Sequence, residues 1–190
     1  ARTAALLQLT LRGIPFIYYG EELGMKNVEV PKEKARDPMA VNMKGFDFGR
    51  DPERTPMQWD ASRFGGFSNV EPWLPLEKEF KERNVVSEEE DKKSFLNLYK
   101  SVITLRKTRK SLEEGRLVPL DFKNPNVLGF FRQEADEKTL VLANFSEEKQ
   151  IVELPKGNWK TVLSTELDVE NRKEKDKVLL RPSEGIILCS

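Results

Sequence analysis

The tetrapeptide Phe16-Ile17-Tyr18-Tyr19 constrains this chain most, because four consecutive large apolar or aromatic side chains leave a strand without a solvent face. Side chains alternate between the two faces of a strand. The run therefore fits a parallel strand covered on both sides, as in a barrel wrapped by helices. It is entered through Gly13-Ile14-Pro15, after residues 4–12 that read as the end of an apolar helix. It is left through Gly20-Glu21-Glu22-Leu23-Gly24, where glycines permit a sharp exit. The carboxylates there stand just past the strand's carboxyl end, the edge that carries the chemistry in such barrels.

From about residue 25 to 86 no clean periodicity appears, while Pro, Gly, Asp and aromatic residues recur. Trp59, Phe64, Phe67 and Trp73 supply area to bury, so the stretch is expected to be an ordered excursion on the active-site side. Ser87 followed by Glu88-Glu89-Glu90 is a capping-box pattern and predicts a helix start. Phe95, Leu98, Tyr99, Val102 and Leu105 then recur at helical spacing, with Arg106, Lys107, Arg109 and Lys110 at the end. That stripe predicts core packing rather than a partner-binding face. Beyond Gly115 the texture changes to short β-rich runs at 127–132, 139–145, 150–154, 159–163, 177–180 and 185–188. Turn residues at regular spacing between them predict an antiparallel sandwich or barrel. The boundary is expected near residue 111, giving domains 1–110 and 111–190.

Lys and Arg (32) balance Asp and Glu (32), so no net field favours nucleic acid or an anionic membrane. No apolar run approaches the roughly 20 residues that span a bilayer. Histidine is absent, which removes Ser-His-Asp and Cys-His catalysis and the usual zinc sites, leaving carboxylates as catalysts. Cys189 is the lone cysteine and forms no internal disulfide, which fits a reducing, cytoplasmic compartment. The start Ala1-Arg2-Thr3 has neither an initiator Met nor a signal-peptide pattern, so a preceding segment is expected.

Five segments together resemble the α-amylase family, in its α-glucosidase and oligo-1,6-glucosidase branch. They are Leu11 to Met25 (LRGIPFIYYGEELGM), Gly49 to Asp60 (GRDPERTPMQWD), Gly65-Gly66-Phe67-Ser68, Leu105-Arg106-Lys107 and Leu180-Arg181-Pro182-Ser183-Glu184-Gly185. The resemblance implies an α+β piece: the last strand, loop and helix of a (β/α)8 TIM barrel, followed by an antiparallel β-sandwich domain. A whole barrel takes about 250 residues, so most of it is expected outside this chain. The implied chemistry is retaining hydrolysis, with two carboxyls about 5 Å apart across the scissile bond. The family's catalytic carboxylates match no position here, and none is assigned.

Arg54 matches an arginine that hydrogen-bonds substrate in that branch, a role its rigid donor fork suits. The alternative pairs Arg54 with a loop carboxylate such as Asp51 or Asp60. Glu21 and Glu22 are expected to support neighbouring loops, or to touch substrate indirectly. Trp59, Phe67 and Trp73 either anchor the loop or stack on a sugar. Asp37 and Asp47 read as solvated turn residues, since no Asp-rich loop with regular calcium spacing accompanies them. No metal or cofactor is expected. Asn144-Phe145-Ser146 has the form of a glycosylation acceptor, but ends an apolar run and reads as structural. The implied partner is an α-glucosidic oligosaccharide. The alternatives are a trehalose-synthase-like or sucrose-acting transglycosidase, or a non-catalytic carbohydrate-associated β module. The Phe16–Tyr19 run is expected to pair with another chain or the rest of the barrel, or to collapse onto the helix starting near Ser87.

Overall fold

Helices α1 (Arg2–Thr10), α2 (Pro38–Asn42), α3 (Val85–Glu90), α4 (Phe95–Thr108) and α5 (Lys110–Glu113) precede all the strands of the chain's computed structural model. The strands are β1 (Arg116–Leu120), β2 (Val127–Glu134), β3 (Glu137–Asn144), β4 (Gln150–Glu153), β5 (Lys160–Ser164), β6 (Arg172–Lys173), β7 (Lys177–Leu180) and β8 (Gly185–Cys189). The structure describes residues 1–43 and 49–190. They form two compact units: Ala1–Phe16 with Asn97–Ser190, and Ile17–Leu96.

The first unit is β-rich. Its antiparallel six-stranded sheet has the order β1-β2-β3-β8-β5-β6, and β4 pairs with β7 in a second sheet. Between them lie Val127, Leu140, Leu142, Val152, Trp159, Val178, Leu180, Ile186 and Leu188. In the small sheet Val152 and Val178 are buried while Ile151 and Leu179 are exposed, the alternation of a half-covered sheet. The central strands β3 and β8 show no such alternation, because α1 packs against both and α5 against β3. A Cβ on Gly185 would lie only 3.3 Å from Leu6 of α1, which explains a glycine at that approach.

Two arginines close the carboxyl end of α1, whose last carbonyls have no partners within the helix. Arg106 donates to the carbonyls of Leu9, Leu11 and Gly13. Arg132, fully buried on β2, donates through Nη1 to Thr10 O at 2.6 Å and through Nε and Nη2 to Gly115 O at 3.1 and 2.9 Å. Burial, with Arg106 and Arg12 nearby, pushes its pKa down to about 10. Asn144 is likewise buried and structural: its amide donates to the carbonyls of Glu148 and Arg181.

The segment from Leu180 to Gly185 owes its sequence to a buried carboxylate. Glu184 accepts from Arg181 N, Arg181 Nη2 and Ser164 Oγ, while Arg181 also grips Asp168 with both terminal nitrogens. Burial alone would raise the Glu184 pKa, but the Arg181 and Ser164 contacts outweigh it and hold the group below its usual value. A carboxyl with a lowered folded-state pKa stabilises the fold above its unfolded pKa, about 4.3, and that contribution is lost as pH falls through the lower folded value. The wild type is therefore expected to lose melting temperature more steeply than Glu184→Gln between about pH 5 and pH 3. Parallel slopes for the two proteins in calorimetry would contradict this.

Two sequence expectations are corrected. Phe16–Tyr19 forms no strand, because a strand needs a ladder and none of the described residues pairs with it. Phe16, Ile17, Tyr18 and Tyr19 are all exposed, Phe16 at 81%, so this run has not collapsed onto a helix. The second correction concerns the helix start. Asn84, not Ser87, caps α3: its side chain accepts from Ser87 N at 3.0 Å. The helix breaks at Asp91 and resumes at Phe95, where Glu88 reaches across to accept from Leu96 N at 2.9 Å. In α4, Leu98, Tyr99 and Val102 are buried, as the apolar stripe predicts.

Candidate functional site

The candidate site lies in the second unit, Ile17–Leu96, which contains the stretch of about 25–86 expected to be an ordered excursion. It holds its shape with short turns and buried polar side chains. Gly20 has φ 89° and a Cβ there would meet Met25 Sδ at 2.7 Å, so only glycine makes this exit. Glu22 closes the same turn by accepting from Gly20 N at 2.8 Å. Tyr19 donates its hydroxyl to Thr55 O at 3.1 Å, tying the end of the aromatic run to the Arg54 segment.

Arg54 ends the 3₁₀ turn Asp51–Glu53, and its backbone N donates to Asp51 O. Its guanidinium is 43% exposed and lies 3.5 Å from Asp37 Oδ2. Asp51 and Asp60 are therefore not its ion-pair partners. Asp51 Oδ2 accepts from Arg36 N and Asp37 N, while Asp60 accepts from Ser62 N and Oγ. Asp37 corrects its reading as a solvated turn residue: it is 5% exposed and caps α2, accepting from Met39 N. Backbone donors at Met39 and Arg50 hold its carboxyl below the ordinary range, with Arg54 and Arg50 adding to the effect. Asp47 lies outside the described residues.

Arg54 stands between two concavities. One, about 470 Å³, is lined by Tyr18, Glu21, Lys26 and Arg50 among others. The other, about 430 Å³, is lined by Glu22, Trp59, Phe67 and Trp73. Trp59, Phe67 and Trp73 are each about half exposed, Trp59 at 49%, and Arg36 lies 5.4 Å over Trp73. Charged donors beside aromatic faces are the chemistry that holds a sugar, whose hydroxyls accept and whose C–H face is apolar. A larger cavity of about 710 Å³ in the β-rich unit, bordered by Thr104, Leu105, Val162 and Asp168, has no aromatic lining. Among the described residues no group of three or more His, Cys, Asp or Glu side chains could hold a metal.

The structure puts Arg54, Glu22 and Trp59, which the sequence suggested separately, on one concavity and Glu21 on its neighbour. Sequence reading missed the pairing of Arg54 with Asp37. A signal was present: Arg36-Asp37-Pro38 and Arg50-Asp51-Pro52 repeat one tripeptide, and Asp before Pro is a helix-start signature.

Residues 1–115 match the family model for the alpha amylase catalytic domain, and residues 127–187 match the alpha-amylase SusG C-terminal domain. The chain belongs to the alpha-amylase family. It is 33% identical to the oligo-1,6-glucosidase of Parageobacillus thermoglucosidasius over 97% of its length, and 34% identical to that of Bacillus cereus over 98%. It spans 37% of the length of each of these family members. Among solved structures it is similar to an isomaltulose synthase variant from Erwinia rhapontici NX5 in complex with sucrose, at 30% identity and TM-score 0.81. That match covers 99% of this chain and 37% of the other. The family fixes the fold reading: residues of the catalytic domain followed by a carboxy-terminal β domain.

Proposed function

We propose that the whole protein hydrolyses terminal α-linked glucose from short oligosaccharides with retention of configuration, and that the face around Arg54 forms one wall of its sugar pocket. The observation that carries this reading is similarity to oligo-1,6-glucosidases along nearly the whole chain, joined to a half-exposed Arg54 beside Trp59, Phe67 and Trp73. An arginine held by one carboxylate keeps its outward donors free of rotation, which suits recognition of a hydroxyl. Glu22 and Trp59 support the wall from the turn and from the ring face.

A second reading, transfer of glucose between sugars rather than to water, is favoured by the likeness to the sucrose-bound isomaltulose synthase. The two share the retaining step and differ in which acceptor resolves the glycosyl-enzyme.

Arg54→Ala in the whole protein is expected to lower kcat/KM by about ten- to a hundredfold, the loss of one charge-assisted hydrogen bond worth about 1–3 kcal/mol. The melting temperature should move little, since the side chain is 43% exposed. Unchanged kcat/KM with a sharply lower melting temperature would make Arg54 a structural residue.

A further inference from the structure

The segments carrying Asp37 and Asp51 are bound to each other in a crossed fashion. The carboxylate of Asp51 accepts from the backbone of the first segment, at Arg36 N (2.7 Å) and Asp37 N (2.8 Å). The carboxylate of Asp37 accepts from the backbone of the second, at Arg50 N (3.2 Å), while its other oxygen accepts from Met39 N (2.8 Å). Both side chains are buried, at 5% and 2% exposure. A Cβ on Gly49 would meet Ala40 Cβ at 2.7 Å, so the second segment lies close against α2. A carboxylate fixed by two backbone donors cannot swing, and its charge is a stationary point in the loop.

Arg54 is the side chain that meets this fixed charge. Its guanidinium pairs with the oxygen of Asp37 that also holds Arg50 N, so one atom sets both the turn leading into Arg54 and the direction of its side chain. An exposed ion pair alone contributes little. This pair differs because one partner is buried and already immobile, so ordering falls only on Arg54.

We propose that Asp37 is the positioning residue for Arg54, holding its guanidinium toward the concavity of Trp59, Phe67 and Trp73. The assignment rests on the reading of Arg54 as a substrate contact. It extends that reading to a residue 17 positions away that need not touch the sugar itself.

The test is a double-mutant cycle in the whole protein, with kcat/KM on an α-glucoside and the melting temperature measured for each variant. Asp37→Asn is chosen because asparagine remains a good helix cap, so it removes the charge facing Arg54 while keeping the bond from Met39 N. It is expected to lower kcat/KM about tenfold, with a modest drop in melting temperature because Arg50 N loses its acceptor. In the Arg54→Ala background the same change should cost less than about twofold, because the effect passes through Arg54. Equal losses in both backgrounds would overturn the proposal. So would an undiminished Asp37→Asn beside an impaired Arg54→Ala, which leaves the role of Arg54 standing. Full activity of Arg54→Ala would overturn the substrate contact itself, and this proposal with it. Should Asp37→Asn fold poorly, the Arg54 Nε–H resonance of the unmodified 190-residue chain supplies an independent reading. It should shift as Asp37 protonates on acidification, and a resonance that stays still until the chain unfolds would overturn the pairing.

Discussion

Arg132→Met is expected to destabilise the β-rich unit by about 2–4 kcal/mol, lowering its melting temperature by roughly 10 °C. Two effects oppose each other here. Burying a guanidinium has a desolvation cost, visible in the lowered pKa of Arg132, and methionine removes that cost in a shorter, flexible apolar side chain. Against this, methionine leaves Thr10 O and Gly115 O without the three bonds that Arg132 donates. A buried acceptor stripped of its partner costs about 1–3 kcal/mol. Thr10 O is also at the negative end of α1, where a cation is favoured. The two orphaned carbonyls outweigh the relief of desolvation. A lysine at the same position offers a point charge without the fork, so Arg132→Lys should fall between the two. Denaturant melts read by Trp159 fluorescence measure the difference, and an unchanged midpoint in Arg132→Met would show that the carbonyls find other partners.

Much of the β-rich unit was legible because its hydropathy follows its burial. The continuous apolar runs became β3 and β8, covered on both faces, and the alternating runs became β4 and β7. Two strands were not visible. β1 contains Pro119, which argues against a strand, yet β1 is an edge of its sheet, where a missing N–H is tolerated. β6 has two residues, too few for any period. The break between α3 and α4 was hidden for a different reason. It depends on Glu88 capping the second helix, a contact of the folded chain and not of the pattern. Phe16–Tyr19 has the composition of a covered strand, but strand formation belongs to its partners as much as to itself.

The site was legible as residue types and not as pairings. Arg54 could be named from the family resemblance, Glu22 from its place after the aromatic run and Trp59 as a loop aromatic, and the structure places the three on one concavity. Their support could not be named, because buried carboxylates bonded to backbone N–H groups leave no trace in hydropathy. Asp37 and Asp51 look in sequence like any turn aspartates, and Glu77 and Gln58, both buried in the same unit, look like surface residues.

The 190-residue chain alone is expected to show no hydrolysis of p-nitrophenyl α-glucoside above a heat-inactivated control. Retaining hydrolysis needs a nucleophilic carboxylate and a second carboxyl that stays protonated near neutral pH, about 5 Å away. The carboxylates placed here serve other ends. Asp37, Asp51 and Glu77 accept from backbone N–H groups, Glu22 closes the Gly20 turn, and Glu79 pairs with Lys26 and Arg83. Hydrogen bonds hold Asp37, Asp60 and Glu79 below their ordinary pKa, the wrong direction for an acid catalyst. Among the described carboxyls with a displaced pKa, only Glu88 is pushed up, by burial, and it caps α4. On the proposed reading, the wall around Arg54 would act only with carboxylates supplied from elsewhere in the whole protein.

The most direct test follows isomaltose by proton NMR, with the whole protein and the 190-residue chain in parallel. The whole protein is expected to release glucose first as the α-anomer, while the chain alone leaves isomaltose intact. Glucose appearing first as the β-anomer, an inert whole protein, or turnover by the 190-residue chain on its own would contradict it.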